Sequence, residues 1–419
     1  MDQKIYKTLF VLLILSLFSA RVEVSFVMAI IAAILSFSSL IHKQLMYIVS
    51  LLSLILMIGL IGVFCQDNEL LTYIKDIVYY SRPIIVLIAS YNLIKRINDK
   101  EYLFTSIIVL GFIYAIIHVI KIAININNIS SVVDIRIFGD RYNHVELIAL
   151  IFILTLKNIR IRKYFSKLTI NILIFISIVS FVLYFSRVMF VVLALFIMAY
   201  KGYFKLTKKG IKTLFIGAVF ITIFFTIINQ FNVDNNSKGI GEFVYKIQNS
   251  YNEIFESLDI ESIKRDKREL WKHWRGYEAQ SAFEELNSGG LYSWVFGKGF
   301  GSSVDLGVEV ELAREKIRHI PILHNGFVYV IFKTGLIGLI VYLTYIVYLY
   351  SFYRNKSRTK EELVLNRLIV GSAFYIALSS LVVTGIFKPY DLSSLLIGGL
   401  FALKQFYYED WNIRNQGRA

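Results

Sequence analysis

A histidine–asparagine pair stands where a long polar segment gives way to an apolar run. His324-Asn325 is followed in that run by Gly335 and Gly338. In an unbroken helix at 100° per residue, the two glycines lie about 20° and 40° from His324, on one face. Glycines on an apolar helix let another backbone approach closely. The spacing therefore predicts that His324 lies in the first helical turn, at the mouth of a close helix contact.

The position of His324 also predicts its protonation state. The positive N-terminal end of a helix disfavours imidazolium. A neutral imidazole is the form that a general base needs. We therefore interpret His324 as a candidate base, with Asn325 beside it to position a substrate. The alternative is a histidine that only begins the helix.

One arginine lies between two apolar runs with almost no loop. Arg187 follows Phe185-Ser186 directly and precedes a second apolar run. A guanidinium holds phosphate oxygens in pairs and stays protonated. An ionisable residue at such a junction is a functional candidate. Arg187 is thus predicted to bind phosphate, the alternative being a side chain that only reaches the membrane interface.

Four further arginines are weaker candidates for the same role. Arg136 and Arg141 precede the sixth apolar run, and Arg82 lies inside the fourth. Arg268 opens a charged segment rich in aromatic residues. The alternative for Arg82 is an ion pair with Asp76, and the alternative for Arg268 is a solvated run of charges.

Aromatic residues recur every three positions just after Arg268. Trp271, Trp274 and Tyr277 would line one face of a helix. Their rings could stack on sugars or rest at the lipid interface. The spacing does not distinguish between these two roles.

The elements that must position these residues are membrane helices. Hydrophobic residues make up 56% of the 419, only 18% are charged, and the mean hydropathy is +0.61. A membrane span needs roughly 20 apolar residues, and this chain has long apolar blocks. This composition excludes a soluble enzyme and predicts about twelve spans. We place them at 5–20, 24–41, 45–64, 76–94, 102–123, 144–158, 168–185, 188–200, 213–231, 324–352, 363–384 and 393–408.

The loops between the spans alternate in charge, and this alternation predicts the orientation. One set of loops is rich in Lys and Arg, which favours the cytoplasmic side. Both termini then lie inside. Residues 232–322 form one large outer loop with 12 Lys/Arg and 15 Asp/Glu, for a net charge of −3. The predicted organisation is spans 1–9 over residues 1–231, this loop, and spans 10–12 with a cytoplasmic tail over 323–419.

Signals for metals and other cofactors are weak. The first outer loop offers only Glu23, and the second offers Asp67 and Glu69, a single loose acidic pair. The glycines of 297–301 are not a dinucleotide fingerprint, because no strand–helix unit surrounds them. The sole cysteine, Cys65, forms no internal disulfide. The sequence therefore predicts no metal and no cofactor.

The whole pattern resembles a known family. His324-Asn325, nine residues, Gly335, two residues and Gly338, placed after a large late loop, is similar to the signature of the O-antigen ligase and Wzy-type O-antigen polymerase family. The family also has an arginine at a helix junction, as at Arg187, and an arginine followed by an aromatic residue, as at Arg268. The resemblance implies an all-α, many-spanning membrane protein of the bacterial inner membrane.

The resemblance also implies an activity. Family members move a glycan from undecaprenyl diphosphate to an acceptor hydroxyl, without a metal and with inversion. His324 would then activate the acceptor while the arginines hold the diphosphate. Polymerisation of repeat units, as in O-antigen or capsule, is favoured over ligation to lipid A-core. A lipid-linked oligosaccharide flippase is the alternative from another class. Implied partners are the lipid-linked glycan, membrane lipid and a chain-length regulator protein, with no nucleic acid.

Overall fold

The computed structural model of the protein is dominated by helices. It describes 2–19, 21–38, 42–62, 70–129, 131–138, 142–155, 165–205, 207–208, 226–231, 233, 240–248, 270–271, 273–312 and 315–416, with isolated residues between 212 and 223. The α-helices are α1 Gln3–Leu17, α2 Val22–Leu35, α3 Lys43–Ile61, α4 Leu70–Ile97, α5 Tyr102–Ile124, α6 Val132–Phe138, α7 Asn143–Thr155, α8 Lys167–Leu183, α9 Arg187–Lys201, α10 Ile240–Gln248, α11 Trp274–Ser288, α12 Gly290–Phe296, α13 Gly326–Ser351, α14 Lys360–Val382 and α15 Ser393–Gln416.

Five of these helices are long and apolar enough to cross a membrane. They are α3, α4, α5, α13 and α14, and α2, α7 and α8 are shorter apolar helices. This set supports a membrane protein. Among the described residues an apolar helix occurs near every predicted span except 213–231, which lies largely outside them. The number of helices that cross a membrane stays a prediction.

The centre of the bundle is built around α4 and α15. Helix α15 packs along α4, and α9 packs along α14. Glycine allows the first contact, because a Cβ at Gly398 would lie 2.2 Å from the carbonyl oxygen of Leu87. The Ser90 hydroxyl donates to the carbonyl of Leu395 across the same interface, at 2.6 Å. Close backbone packing through small residues is typical of membrane helices.

Helix α13 is broken at Gly335, which has φ +66° and ψ −170°. The break frees the carbonyls of Phe332 and Lys333, which an unbroken helix would pair with donors four residues later. Backbone N–H groups of Lys298 and Gly299 donate to these carbonyls instead, at 2.7 and 3.1 Å. We call residues 297–301 the glycine segment. Its backbone thus supplies hydrogen bonds to the carbonyls that the break leaves without helical partners, as an apolar environment requires.

This break changes the predicted role of the two glycines. A Cβ at Gly335 would lie 2.2 Å from the carbonyl oxygen of Val295, so the predicted close backbone approach is confirmed there. At Gly338 a Cβ would instead meet Thr334 Oγ1 of the same helix, at 1.8 Å. Both glycines share a face with His324 only in a straight helix that begins at His324. The prediction of such a helix is wrong, because the backbone leaves helical geometry at Gly335.

A buried ion pair holds the glycine segment against α4 and α13. Lys333 Nζ lies 2.6 Å from Asp76 Oδ2, and both side chains are buried. The same carboxylate accepts from the Gly301 N–H at 2.8 Å and from the Tyr329 hydroxyl at 3.0 Å. A buried charge is tolerated when it is paired and hydrogen-bonded in this way. Asp76 therefore pairs with Lys333, and the alternative of an Arg82–Asp76 pair is wrong.

A short antiparallel hairpin interrupts the expected all-α fold. Strands β1 Val304–Leu312 and β2 Glu315–Ile320 pair beside α11. Arg318 closes the hairpin with two hydrogen bonds to Asp305, at 2.7 and 2.8 Å. This two-stranded sheet is a local exception, and the described chain is otherwise helical.

Replacing Gly335 with alanine should destabilise the protein strongly. The φ/ψ pair of Gly335 is accessible essentially only to glycine, and the added Cβ would strike Val295. We expect a loss above about 3 kcal/mol, since strained backbone alone costs about 1–3 kcal/mol. Thermal unfolding in detergent measures it. Gly290→Ala is the matched control, because Gly290 also has positive φ, at +65°, with nothing near its Cβ. Equal shifts in Tm for the two variants would contradict the role of the close contact.

Candidate active site

His324 is held by a carboxylate from the preceding polar segment. Its Nδ1 lies 2.9 Å from both carboxylate oxygens of Glu278, and its backbone N–H donates to Glu278 Oε2 at 3.1 Å. Glu278 lies on α11 and is buried, whereas the His324 side chain is 48% exposed. We call these two residues the His–Glu pair.

The His–Glu pair fixes which ring nitrogen carries the proton. An ionised carboxylate only accepts hydrogen bonds, so Nδ1 must be the donor. In the neutral ring, Nε2 then has the free lone pair. The arrangement presents an oriented imidazole that can accept a proton at Nε2.

His324 lies just before α13 and not in its first turn. Asn325 is the N-cap, and its side-chain oxygen accepts from the N–H groups of Phe327 and Val328. The prediction that His324 occupies the first helical turn is therefore wrong by two residues. Asn325 has a structural role in starting the helix, and its predicted role in positioning a substrate stays a prediction.

A cavity lined by basic side chains lies beside the His–Glu pair. It has a volume of about 510 Å³ and is lined by Arg136, Arg187, Arg275 and Lys388, together with His144. Among the described residues that line it, none is Asp or Glu. The four cations come from α6, α9, α11 and the loop after α14. Such a basic cavity suits a ligand with more than one negative charge. We call it the basic cavity.

Backbone contacts join the His–Glu pair to this cavity. The Gly326 N–H donates to the carbonyl of Val383 at 3.2 Å, and Val383 lines the cavity. The Thr384 hydroxyl donates to the carbonyl of Leu323 at 3.0 Å. On the other side, Arg275 lies three residues before Glu278 on α11, almost one helical turn away. His324 therefore borders the cavity without being part of its lining.

The predicted arginines Arg187 and Arg136 do come together. Arg187 is the first residue of α9, after Ser186 as N-cap and Phe185 in a left-handed conformation, φ +45°. This tight junction leaves Arg187 at the end of the helix. Desolvation, and then the nearby Arg187 guanidinium, lower the pKa of Arg136. A bound anion would offset the repulsion between these two guanidinium groups.

Arg82 lies behind the cavity and does not line it. Its guanidinium is buried and donates short hydrogen bonds to the carbonyls of Lys388 and Pro389. The predicted role of Arg82 in binding the diphosphate stays a prediction. Arg82 positions the loop that carries Lys388.

Lys388 and His144 are site residues that the sequence did not reveal. Lys388 Nζ donates to His144 Nε2 at 2.8 Å, and His144 Nδ1 lies 2.9 Å from the Tyr375 hydroxyl. Burial lowers the pKa of Lys388 to about 8. In the sequence, Lys388 is marked only by being a lysine in a loop that is otherwise poor in basic residues.

Two of the three predicted aromatic residues are buried. Tyr277 is fully buried and its hydroxyl donates to the carbonyl of Leu306, and Trp274 is also buried. Trp271 is 46% exposed and stacks on Trp274 with ring centroids 4.8 Å apart. The prediction of one shared binding face is therefore wrong. Only Trp271 has a ring surface available to a sugar or to lipid.

A second buried polar network lies next to α6. Glu146 accepts from the hydroxyls of Ser180, at 2.5 Å, and Tyr184, at 2.7 Å. His118 contacts Ser180 at 2.8 Å and the carbonyl of Ile135 at 3.3 Å. His118 is itself buried. The network ties α5, α7 and α8 to the helix that carries Arg136.

Some predicted residues lie outside the described part of the chain. These are Arg141, Arg268, Asp67 and Glu69. Among the described residues, no group of three or more His, Cys, Asp or Glu side chains could hold a metal ion. The predicted roles of Arg141 and Arg268 stay predictions.

Comparison with known proteins leaves the family undetermined. No protein-family model matches the chain. No curated protein is significantly similar to it. The class that the fold and the site define is therefore a helical protein with apolar, membrane-length helices and a basic cavity beside a His–Glu pair.

Proposed function

We propose that this protein is a membrane glycosyltransferase of the O-antigen polymerase and ligase type. It transfers a glycan from undecaprenyl diphosphate to an acceptor hydroxyl on the outer face of the inner membrane. One observation carries the proposal: four cations from four separate segments line one cavity, beside an oriented histidine. The resemblance of the His324 segment to that family points to the same activity.

In the proposed reaction the basic cavity holds the diphosphate of the donor. Arg187, Arg136 and Arg275 offer guanidinium groups that pair with phosphate oxygens. Negative charge grows on the leaving oxygen as its bond to the sugar breaks. Fixed cations aimed at that oxygen stabilise the transition state more than the ground state. The cations thus promote departure of undecaprenyl diphosphate.

The His–Glu pair acts on the acceptor. His324 Nε2 takes the proton of the acceptor hydroxyl as the oxygen attacks the anomeric carbon. The bond from that carbon to the diphosphate oxygen breaks, and its electron pair leaves with the diphosphate. Glu278 holds the Nδ1–H and stabilises the imidazolium that forms. Attack opposite the leaving group inverts the anomeric centre.

We favour polymerisation, in which the acceptor is another lipid-linked repeat unit and a chain-length regulator is a partner. Deletion in the source strain, followed by analysis of surface glycan length, tests this choice. A core that bears one repeat unit identifies a polymerase. A bare core with accumulating lipid-linked polymer identifies a ligase. Unchanged surface glycan would contradict both forms of the proposal.

A lipid-linked oligosaccharide flippase is the second candidate function, because it would also bind a lipid diphosphate in a basic cavity. A flippase needs no oriented base, however, and the His–Glu pair would then have no chemical role. Glycan transfer by the purified protein separates the two functions. A membrane acyltransferase could also use a histidine, but it would have no need of four cations around one cavity.

The proposed orientation predicts the results of thiol labelling. With Cys65 replaced, single cysteines at Ser257 and Ser357 should react with an impermeant reagent from opposite sides of the membrane. Ser257 belongs to the predicted outer loop, and Ser357 lies in a loop with Arg354 and Lys360 that is predicted to be cytoplasmic. Labelling of both from the same side would contradict the orientation.

Transfer should proceed in the presence of EDTA. Basic side chains take the place of a metal in the proposed mechanism, because they already neutralise the diphosphate. The check is the transfer rate of the purified protein with and without chelator. A loss of activity that Mg²⁺ or Mn²⁺ restores would reject this mechanism and point to Asp67 and Glu69.

A further inference from the structure

Lys388 is a buried amine that makes no ion-pair contact with a carboxylate among the described residues. Only 3% of it is exposed, and its Nζ donates to the imidazole of His144 at 2.8 Å. Within the part of the chain that the structure describes, no Asp or Glu oxygen lies within 4 Å of this nitrogen. An isolated buried ammonium is costly, and such groups tend to lose their proton.

The described groups around Lys388 include more cations than carboxylates. Asp391, on the same loop, favours the ammonium, and Arg82 from α4 opposes it. Tyr375 of α14 offers its ring face at 5.6 Å, and His144 of α7 accepts the hydrogen bond. Across the basic cavity the facing cations are Arg136 of α6, Arg187 of α9 and Arg275 of α11. Among the described residues, the charges around Lys388 are thus predominantly cationic.

We propose that Lys388 is a proton-linked phosphate ligand, which takes up a proton from solvent when a diphosphate diester enters the basic cavity. This inference rests on the proposed function and adds a residue and a regulation to it. The bound diester brings two negative charges beside the amine. The resulting ammonium has three N–H donors, of which one stays on His144 and the others turn to phosphate oxygens.

The pH dependence of diester binding follows from the direction in which binding shifts the pKa of Lys388. Burial lowers the pKa of Lys388 to about 8 in the empty cavity, and the charges of the diester raise that pKa in the complex. Below pH 8 the lysine is already protonated, so binding takes up no proton. Between about 8 and the higher pKa of the complex, each binding event takes up close to one proton. Affinity then falls by up to about tenfold per pH unit.

Titration calorimetry on the full chain in detergent tests this linkage. The probe is farnesyl methyl diphosphate, a diester whose two charges stay constant over this range. Measurements at pH 6.5 and 9 in buffers of different ionisation enthalpy count the protons taken up. We expect almost one proton at pH 9 and none at pH 6.5 in the wild type. Equal counts at both pH values would overturn the inference without any variant.

Three variants assign the proton. Lys388→Arg keeps a permanent charge and should bind with no proton uptake and little dependence on pH. Lys388→Met should bind at least tenfold more weakly at pH 6.5, also without uptake. His144→Gln should keep the uptake. Uptake that persists in Lys388→Arg and disappears in His144→Gln would make His144 the proton carrier and overturn the inference.

A fourth variant separates this inference from the proposed function. One outcome is that the wild type binds the diester, Arg187→Ala binds it more weakly, and neither takes up a proton. In that case the proposed anion site is supported and the role of Lys388 is wrong. If the wild type does not bind the diester, or Arg187→Ala binds it as the wild type does, the proposed diphosphate site itself is wrong.

Discussion

Replacing His324 with alanine should abolish glycan transfer and leave donor binding intact. One general base typically contributes 10²–10⁴-fold to a rate, and His324 does not line the basic cavity that is proposed to hold the donor. The loss should appear in kcat at saturating donor. Donor binding and single-turnover rates, measured on the purified variant in nanodiscs, check both parts of this expectation.

The control for His324 is another histidine, five residues earlier in the chain. His319 on β2 is exposed, and its Nε2 lies 4.0 Å from Asp305. It has no role in the proposed mechanism, so the His319→Ala variant should transfer glycan at the wild-type rate. Glu278→Gln should lose much of the rate and retain donor binding, because Gln can accept from Nδ1 without stabilising an imidazolium. If His324→Ala instead stops donor binding and keeps the rate at saturation, the assigned role is wrong.

Replacing Arg187 should weaken the donor complex. Hydrogen bonds to charged groups contribute about 1.5–3 kcal/mol, so Arg187→Ala should reduce donor affinity by roughly 10–100-fold. Arg187→Lys keeps the charge and loses the planar fork of the guanidinium. Its donor affinity should therefore lie between those of the wild type and Arg187→Ala. Transfer should decrease as well, since the same guanidinium stabilises the leaving group.

Arg318 is the matched control for this prediction. It lies close in the chain to His324, is exposed, and is already paired with Asp305. Arg318→Ala should therefore bind the donor as the wild type does. If Arg187→Ala also matches the wild type in binding and turnover, Arg187 is only an interface residue.

Much of the helical framework could be predicted from composition and loop charge. Long apolar runs between polar breaks have few alternatives to helices, since an apolar environment leaves backbone groups no other partner. The break in α13 could not be predicted in this way. It depends on residues 297–301, which approach from the preceding polar segment and replace the helical hydrogen bonds. Periodicity describes one helix and carries no information about such a partner.

The candidate site was predicted only in part. His324, Arg187 and Arg136 have sequence contexts that single them out, and the structure places them at or beside one cavity. Glu278 lies 46 residues before its partner His324, and its own surroundings do not distinguish it from neighbouring carboxylates. Lys388 lies in a loop whose position depends on Arg82. Contacts of this kind are set by tertiary packing and leave no local pattern.

The buried aromatic residues show a different limit of sequence periodicity. A three-residue repeat correctly places Trp274 and Tyr277 on one helix, α11. It does not say whether that face meets solvent or protein. The hairpin of β1 and β2 covers the face and gives the Tyr277 hydroxyl its partner at Leu306. Large aromatic rings gain more from burial than from exposure, so the structural role prevails for two of the three.

The most direct test of the account is transfer by the purified protein itself. The protein in sealed proteoliposomes is incubated with an undecaprenyl-diphosphate-linked repeat unit from the source strain, and both products are measured. The account predicts one undecaprenyl diphosphate released for each glycosidic bond formed, with inverted configuration, and neither product from His324→Ala. Movement of the intact lipid-linked unit across the membrane, without release of undecaprenyl diphosphate, would contradict the account and identify a flippase.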